Sequence, residues 1–541
     1  MDSFGSFGSY AVVEDRNLLP SSSLLSSSSR SKRASRLSIR GSQIRNVNVR
    51  LERSDPYGVL PLGCSLLDKG SSSSNSNTTN GLGRFQVLPE ELLSYLFSFF
   101  DAQSLCRLSL SSKTFYAHVH GGGLQHFREL VIKELECTPS QYFSFEQDWK
   151  TSLALLSLKK KNLNGAEFPI TKFSHKPILV QGVYSDLLFK HFVCANADIS
   201  DSWYKDVNLT QIDGNVMNPS DFFTNYEEKN IPVLIRGSVS KWPAMSQWTD
   251  SGLIKRCPKS SLFHCGGVRL SMESYLQYVH QTSSRDDRPL YLFERHFLAL
   301  GDEEMKNEFS VPPYFADDLQ QLLEPFGLVP DYRWLIIGPR KSGSTFHKDP
   351  NASSAWNALI RGRKAWIFYP PESVPPGVVI GSNSDQSSEI ATPASVMEWY
   401  IDCFAQHRSR LRKSRNPSIR NGDSRGPLCG IQEPGDVVFV PCGWWHQVLN
   451  LEDSVCVTHN FISPRNVQGA LDIMRDDPDA LSGFPNGREG EVYSAFISAL
   501  ENKRPEVLRR EKIDEVAHEE KETRKKWSSA TDLNTNFVFD F

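Results

Sequence analysis

Between about residues 181 and 465, short apolar runs alternate with Gly/Pro turns. Ile231-Pro-Val-Leu-Ile235, Trp334-Leu-Ile-Ile337, Ala365-Trp-Ile-Phe-Tyr369, Val437-Val-Phe-Val440 and Ser454–Phe461 are examples. Runs of this length, rich in β-branched and aromatic residues, predict an all-β barrel or double-sheet jelly roll. Helical connections such as Ala316 to Leu323 precede the later strands. Upstream the spacing becomes helical: Leu92, Leu93, Leu96, Phe99 and Phe100 follow Leu88-Pro89-Glu90-Glu91, with proline in the first turn and acids at the positive end. Asp101 is expected to cap a second helix through Leu105 and Leu108, and Ser111-Ser112-Lys113 to break it before a third at Phe115, Tyr116 and Val119. Trp149 to Leu158 and Glu491 to Leu500 read as further helices; residues 503–526, dense in both charge signs, read as a surface or partner-binding helix.

Residues 1–84 carry no such pattern. Serine runs at 21–23, 26–29 and 71–74 bury too little apolar surface to offset ordering entropy, so a disordered Ser/Arg-rich tail is expected. The chain thus divides into that tail, a small helical domain at 85–130, a helical linker at 131–180, a β domain at 181–470 and a C-terminal helical region and tail at 471–541. The fold class is α+β, mainly β, with flanking helices.

Bulk charge names no partner, since 60 basic residues face 63 acidic ones. Local charge does more. Arg30 to Arg53 holds eight Lys/Arg against Glu52 alone. This run fits nuclear import, a merely solvated tail, or a transit peptide, the last weakened by Asp2, Glu14 and Asp15. A nuclear protein is the expectation. Residues 404–427 hold seven Lys/Arg and one acid, Asp423, and read as an exposed basic insertion between strands, either solvated or in contact with nucleic acid. No run approaches the ~18 apolar residues of a membrane helix, and no membrane partner is expected. Ten scattered cysteines without a C-x-x-C pair disfavour a thiolate zinc site and a disulfide framework.

The chemistry centres on His347-Lys348-Asp349 and His446. On a strand, residues i and i+2 share a face, so His347 and Asp349 would point together and Lys348 away. With His446 they make two imidazoles and a carboxylate, a set that holds Fe(II) and leaves positions open. Taken alone, Lys364 reads as a surface lysine beside Arg361 and Arg363. If Arg361-Gly362 is a hairpin turn, however, Asn357 opposes Trp366 and shares a face with Lys364. An inward lysine needs an anion, and a dicarboxylate would be one. Thr458 and Asn460, two apart, can both offer donors to the same interior.

These motifs resemble two families. Leu88-Pro-x-Glu-Leu-Leu93, an apolar helix, Asp101-x-x-x-Leu105 and Leu110-Ser-Ser-Lys-x-Phe115 resemble an F-box from Val87 to Phe127, where the family usually ends in Trp. The resemblance implies binding to a Skp-type adaptor of cullin–RING ubiquitin ligases. Pro289-Leu-Tyr-Leu-Phe293, Phe315-Ala-Asp-Asp-Leu319, Tyr332-Arg-Trp334, His347-x-Asp-Pro350, Ser354-Ala-Trp-Asn-Ala-Leu359, Gly443-Trp-Trp-His-x-Val-Leu-Asn450 and Thr458-x-Asn-Phe461 resemble a JmjC oxygenase. The similar branch is that of arginine demethylase and lysyl hydroxylase, and an F-box ahead of such a domain resembles plant F-box/JmjC proteins. The resemblance implies a double-stranded β-helix of jelly-roll or cupin type. It implies Fe(II) at His347, Asp349 and His446, and 2-oxoglutarate at Lys364, Asn357 and Thr458, helped by Tyr291, with O2 as cosubstrate. A threonine three residues before the first iron histidine contributes in that branch; here Ser344 stands there, beside Thr345.

Three functions follow from the resemblance. They are a nuclear demethylase of histone methyl-arginine, a lysyl hydroxylase of RNA-associated proteins, and a ubiquitin-ligase receptor using the barrel only to bind. A basic protein substrate would meet acids at the mouth, with Asp286-Asp287, Asp302-Glu303-Glu304 and Asp317-Asp318 as candidates.

Overall fold

The computed structural model describes residues 43–44, 49–50, 54–62, 81–137, 145, 148–161, 177–382, 388–415 and 426–508. Thirteen strands form two facing sheets. They are β1 Gln211–Asp213, β2 Val233–Arg236, β3 Phe263–Cys265, β4 Val268–Leu270, β5 Leu292–Glu294, β6 Arg333–Gly338, β7 Gly343–His347, β8 Ser354–Arg361, β9 Lys364–Tyr369, β10 Leu428–Gln432, β11 Val437–Val440, β12 Trp445–Asn450 and β13 Ser454–Phe461. The large sheet runs β1-β2-β11-β8-β13-β6-β5-β3-β4 and the small one β10-β9-β12-β7. This is the jelly-roll core read from the alternating runs.

β8 and β9 are not a hairpin. β8 pairs with β11 and β13, and β9 with β10 and β12, so Arg361-Gly362 carries the chain from one sheet to the other. Every residue of β9 is buried. Trp366 and Phe368 face the other sheet, and Ala365, Ile367 and Tyr369 face covering helices. That two-sided burial explains its unbroken apolar run.

The covering helices are numbered after those of the N-terminal region: α1 Glu90–Phe97, α2 Ala102–Ser109, α3 Lys113–His120, α4 Gln125–Cys137, α5 Trp149–Lys161 and α6 Asp186–Asn196. Asp101 caps α2 at Ser104 N (2.7 Å), as the sequence predicts, and Ser112 caps α3. Pro89 stands at the N-cap of α1, one place before its first turn. Met272–Gln281 is α7, Val396–Asp402 is α8 and Phe404–Ser414 is α9. Residues 404–414 are therefore not an exposed loop. Phe404, His407 and Leu411 bury one stripe of α9 against the small sheet, while Arg410, Arg412 and Lys413 stay exposed. Residues 416–425 of that insertion lie outside the described residues, as do 509–541 and most of the basic run 30–53. Near the C-terminus, Val467–Asp476 and Glu489–Lys503 pair as α10 and α11. Among the described residues no helix is long and apolar enough to cross a membrane.

Part of the expected tail is ordered. Asp55 accepts the amides of Tyr57 (3.1 Å) and Val59 (3.0 Å), which bury their side chains against Val180, Val183 and Leu188. The helical domain is likewise fused to the barrel: Leu93, Phe97, Leu105, Phe127 and Trp149 share one apolar core with Tyr278 and Leu290.

The expected acids at the mouth are tied up structurally. Asp286 accepts from Trp149 Nε1 (2.7 Å) and the Tyr278 hydroxyl (2.5 Å), and Asp287 pairs with His191 Nδ1 (2.6 Å). Asp302 and Glu304 pair with Arg256, and Asp317 with Arg504. Asp318 lies against His459. Glu303 differs: it is exposed and pairs with Lys306 (2.8 Å), while the other acids sit where an Arg, His, tyrosine or indole partner packs, which sequence spacing alone does not reveal.

This junction makes stability pH-dependent. Burial pushes His118 and His126 down to about 4 and Asp286 up to about 7. From pH ~6.5 to 4 the unfolded chain protonates those histidines and the folded one does not, so stability falls with pH. Asp286 acts oppositely, because below about pH 7 the folded form holds the extra proton. Thermal melts are expected to show a falling Tm from pH 6.5 to 4, and a steeper fall in Asp286→Asn.

Candidate functional site

β7 and β12 bring the two histidines together. His347 pairs with His446 and Ser344 with Val448, so Thr345 and Phe346 both stand opposite Gln447. This is a β-bulge, and it changes which residues look inward. Val448 packs with Trp366, Phe368 and Val438 between the sheets, which places its partner Ser344 on that inner face. Thr345 turns out, accepting the Thr392 hydroxyl (3.2 Å), and Phe346 packs on Trp399. Simple alternation from His347 would have chosen Thr345.

β7 ends at His347, and Asp349 follows just beyond it. The imidazole rings lie 4.1 Å apart, and one ligand atom from each of His347, Asp349 and His446 falls within 4.8 Å of the others. His446 Nε2 is 3.9 Å from Asp349 Oδ1. Each histidine donates Nδ1–H to the carbonyl two residues back, at Thr345 (2.8 Å) and Trp444 (3.1 Å). That puts the proton on Nδ1 and the lone pair on Nε2 of each ring, the tautomer a metal ligand needs. Burial lowers His347 to about 4, aided by His446, and lowers His446 to about 4, so both are neutral. Burial pushes Asp349 up, with His347 and the Asn460 amide pulling it back. Asp349 Oδ2 is buried with no hydrogen-bond partner. Two neutral imidazoles and an orphaned carboxylate oxygen fit a divalent cation. Lys348 leaves the site, with Nζ 4.9 Å from the Trp445 ring and donating to Pro371 O (3.1 Å).

Lys364 lies deeper between the sheets and is 1% exposed. Its Nζ donates to Cys456 Sγ (2.8 Å) and hydrogen-bonds the Tyr291 hydroxyl. Burial works against the ammonium, yet Cys456 and Tyr291 hold its pKa above the ordinary lysine value. Asn357 Nδ2 reaches the same sulfur at 3.5 Å, and Asn357 Oδ1 is buried without a partner. A fully buried ammonium whose neighbours are a thiol and a phenol, not a carboxylate, fits an anion. Lys364 pairs with Asn450 and Phe368 with His446 on one ladder, so four residues, ~13 Å at ~3.3 Å each, separate the two stations. A lysine side chain and a short diacid can span that gap together.

Thr458 and Asn460 share the inner face of β13, as expected. Thr458 Oγ1 donates to Trp356 O (3.0 Å) and Asn460 Nδ2 to Ser353 Oγ (2.9 Å). Two residues escaped the sequence reading. Cys456 continues the Thr458–Asn460 alternation by one step and could have been found that way. Asn450, which hydrogen-bonds Tyr291 and donates to Ser342 Oγ (2.9 Å), had only its place in the Trp-Trp-His turn to mark it. Gly338 makes room for Tyr291 and Asn450, since a Cβ there would sit 2.3 Å from the Tyr291 ring and 2.5 Å from Asn450 Nδ2.

A cupin-like core with two histidines and a carboxylate at one place between its sheets and a buried lysine at another defines an iron- and 2-oxo-acid-dependent oxygenase as the class. Comparison with known proteins agrees. The cupin-like domain family matches residues 266–466 and the F-box-like family residues 85–126. The arginine-specific demethylase JMJ22 of Arabidopsis thaliana is 33% identical over 497 residues, spanning 90% of this chain and 89% of that protein. The bifunctional arginine demethylase and lysyl-hydroxylase psr-1 of Caenorhabditis elegans is 30% identical, spanning 56% of this chain and 70% of its own. The 2-oxoglutarate and iron-dependent oxygenase JMJD4 of Gallus gallus is 30% identical over 48% of this chain and 62% of its own. The chain belongs to the JmjC-domain Fe(II)- and 2-oxoglutarate-dependent oxygenases of the arginine demethylase and lysyl-hydroxylase branch, with an F-box-like segment ahead of the oxygenase domain.

Proposed function

We propose that this oxygenase removes methyl groups from arginine in a basic nuclear protein, a histone above all, and so acts in chromatin regulation. The observation that carries this reading is the similarity to an arginine-specific demethylase across nine-tenths of both chains, together with a complete set of site residues. His347, Asp349 and His446 would hold the iron, with Nε2 and the free Asp349 oxygen as donors. Lys364, Asn357, Tyr291 and Thr458 would receive the far carboxylate of 2-oxoglutarate, and Ser344 and Asn460 would line its path.

Iron with 2-oxoglutarate supplies oxidation of a substrate C–H bond by O2, with release of succinate and CO2. The chain's part is to bind and orient. The small sheet, sealed by α8 and α9, excludes water from one side, and the Nδ1–H bonds keep the imidazoles in a fixed tautomer. A hydroxylated N-methyl group then falls apart to formaldehyde and the demethylated amine. Incubating the full chain with methyl-arginine histone peptides, iron and 2-oxoglutarate should yield products lighter by one methylene in mass spectrometry. Peptides heavier by one oxygen on lysine, without methyl loss, would replace this reading with lysyl hydroxylation.

The helical domain supports a second role, binding a Skp-type adaptor. Val87, Tyr95, Phe99 and Leu110 are exposed to 80, 53, 67 and 86%, an apolar surface on a domain otherwise packed against the barrel. Val87→Asp with Phe99→Asp should abolish co-purification with the adaptor and leave the melting temperature unchanged.

A further inference from the structure

Cys456 has no part in the roles above, yet it sits where the diacid's far carboxylate must go. It is fully buried on the inner face of β13. Its sulfur accepts from Lys364 Nζ at 2.8 Å and lies 3.5 Å from Asn357 Nδ2. Both proposed carboxylate donors therefore converge on one sulfur atom. Among the described residues the other fully buried cysteine, Cys265, packs in the apolar core and donates to the carbonyl of Phe263. Asn357 Oδ1, buried and unpartnered, borders the same spot.

We propose that Cys456 is an oxidation site that governs 2-oxoglutarate binding: peroxide converts its thiol to a sulfenic acid whose anion takes Lys364 away from the cosubstrate. This rests on the reading of Lys364 as the carboxylate anchor. The step balances. The thiol sulfur attacks one peroxide oxygen, the O–O bond breaks, an S–O bond forms, and the departing hydroxide leaves as water with the thiol proton. Sulfur is oxidised by two electrons and the peroxide is reduced by two. If 2-oxoglutarate reaches Lys364, the smaller hydrogen peroxide would reach the adjacent thiol by the same route. The sulfenate oxygen, one bond beyond Sγ, meets the Lys364 ammonium in a charge-assisted hydrogen bond of the kind a carboxylate would make. Sulfenic acid is the reversible rung of thiol oxidation, so dithiothreitol restores the thiol.

The reduced full-length protein would be loaded with manganese(II) in place of iron, to avoid radical chemistry, and treated with hydrogen peroxide. Sulfenic acid is trapped with dimedone and located by peptide mass spectrometry, and 2-oxoglutarate binding is measured by calorimetry. Expected results are dimedone on Cys456 and not on Cys265, labelling suppressed at least tenfold by prior 2-oxoglutarate, and affinity lowered at least tenfold by peroxide and restored by dithiothreitol. In Cys456→Ala, or Cys456→Ser if alanine misfolds, the affinity ratio before and after peroxide stays near one. An unlabelled Cys456, or a labelled one that neither 2-oxoglutarate protects nor affinity follows, overturns the proposal while leaving the Lys364 assignment standing. Untreated protein whose 2-oxoglutarate affinity is the same in Lys364→Ala overturns both.

Discussion

Replacing Asp349 with alanine is expected to reduce turnover at least ~100-fold, since even the outer-shell partners of metal ligands cost ~10–100-fold when removed. The loss should appear first as lost metal. Metal content after dialysis against iron or manganese should fall to background in Asp349→Ala while secondary structure is unchanged. The physical reason lies in the pair of neutral imidazoles. Without the carboxylate the site offers two uncharged donors, and no other described acid completes such a cluster with His347 and His446. Asp349→Asn keeps the shape and removes the charge, so it separates packing from ligation. Turnover that survives Asp349→Ala would remove iron from this site.

Lys364→Met is expected to weaken cosubstrate binding strongly and to change stability little. A charge-assisted hydrogen bond is worth ~1.5–3 kcal/mol, so 2-oxoglutarate affinity should fall about 10- to 150-fold. The same change removes a 1%-exposed ammonium whose neighbours are a thiol and a phenol. Burial works against that charge, but Cys456 and Tyr291 more than offset it, so the cosubstrate-free variant should melt close to the parent temperature. Calorimetry with 2-oxoglutarate and melts without it check the two halves. A lower Tm together with unchanged affinity would make Lys364 a structural residue.

Much of this site was legible because it obeys strand alternation. His446, Val448 and Asn450 on β12, and Cys456, Thr458 and Asn460 on β13, keep the period of two. The fold was legible for the same reason: Trp334–Ile337, Val437–Val440 and Ser454–Phe461 are strands where their apolar runs fall. The misses have a common cause in events that alternation cannot carry. The bulge between Ser344 and His347 swaps faces without any residue type that announces it. Arg361-Gly362 looks like a hairpin turn because two residues suffice either to reverse a strand within a sheet or to step between sheets. Asn357 and Lys364 still converge, on the sulfur of Cys456, but from the two different sheets. In α9 the charges of Arg408, Arg410, Arg412 and Lys413 conceal the Phe404–His407–Leu411 stripe that docks it. Tyr57 and Val59 were lost among the serines because their partners, Val180 and Val183, lie more than a hundred residues away.

The shared ladder of β9 and β12 works as a ruler. With Lys364 and His446 in their proposed roles, the length of oxo acid that fits is fixed by a count of backbone steps between two hydrogen-bonded strands. Changing that length by a single backbone step means re-registering a strand by one residue, which would turn every inner side chain outward. Loops are under no such constraint. The enzyme's choice of small cosubstrate and its choice of protein target are therefore written in separate parts of the chain, and relatives can exchange the second without disturbing the first.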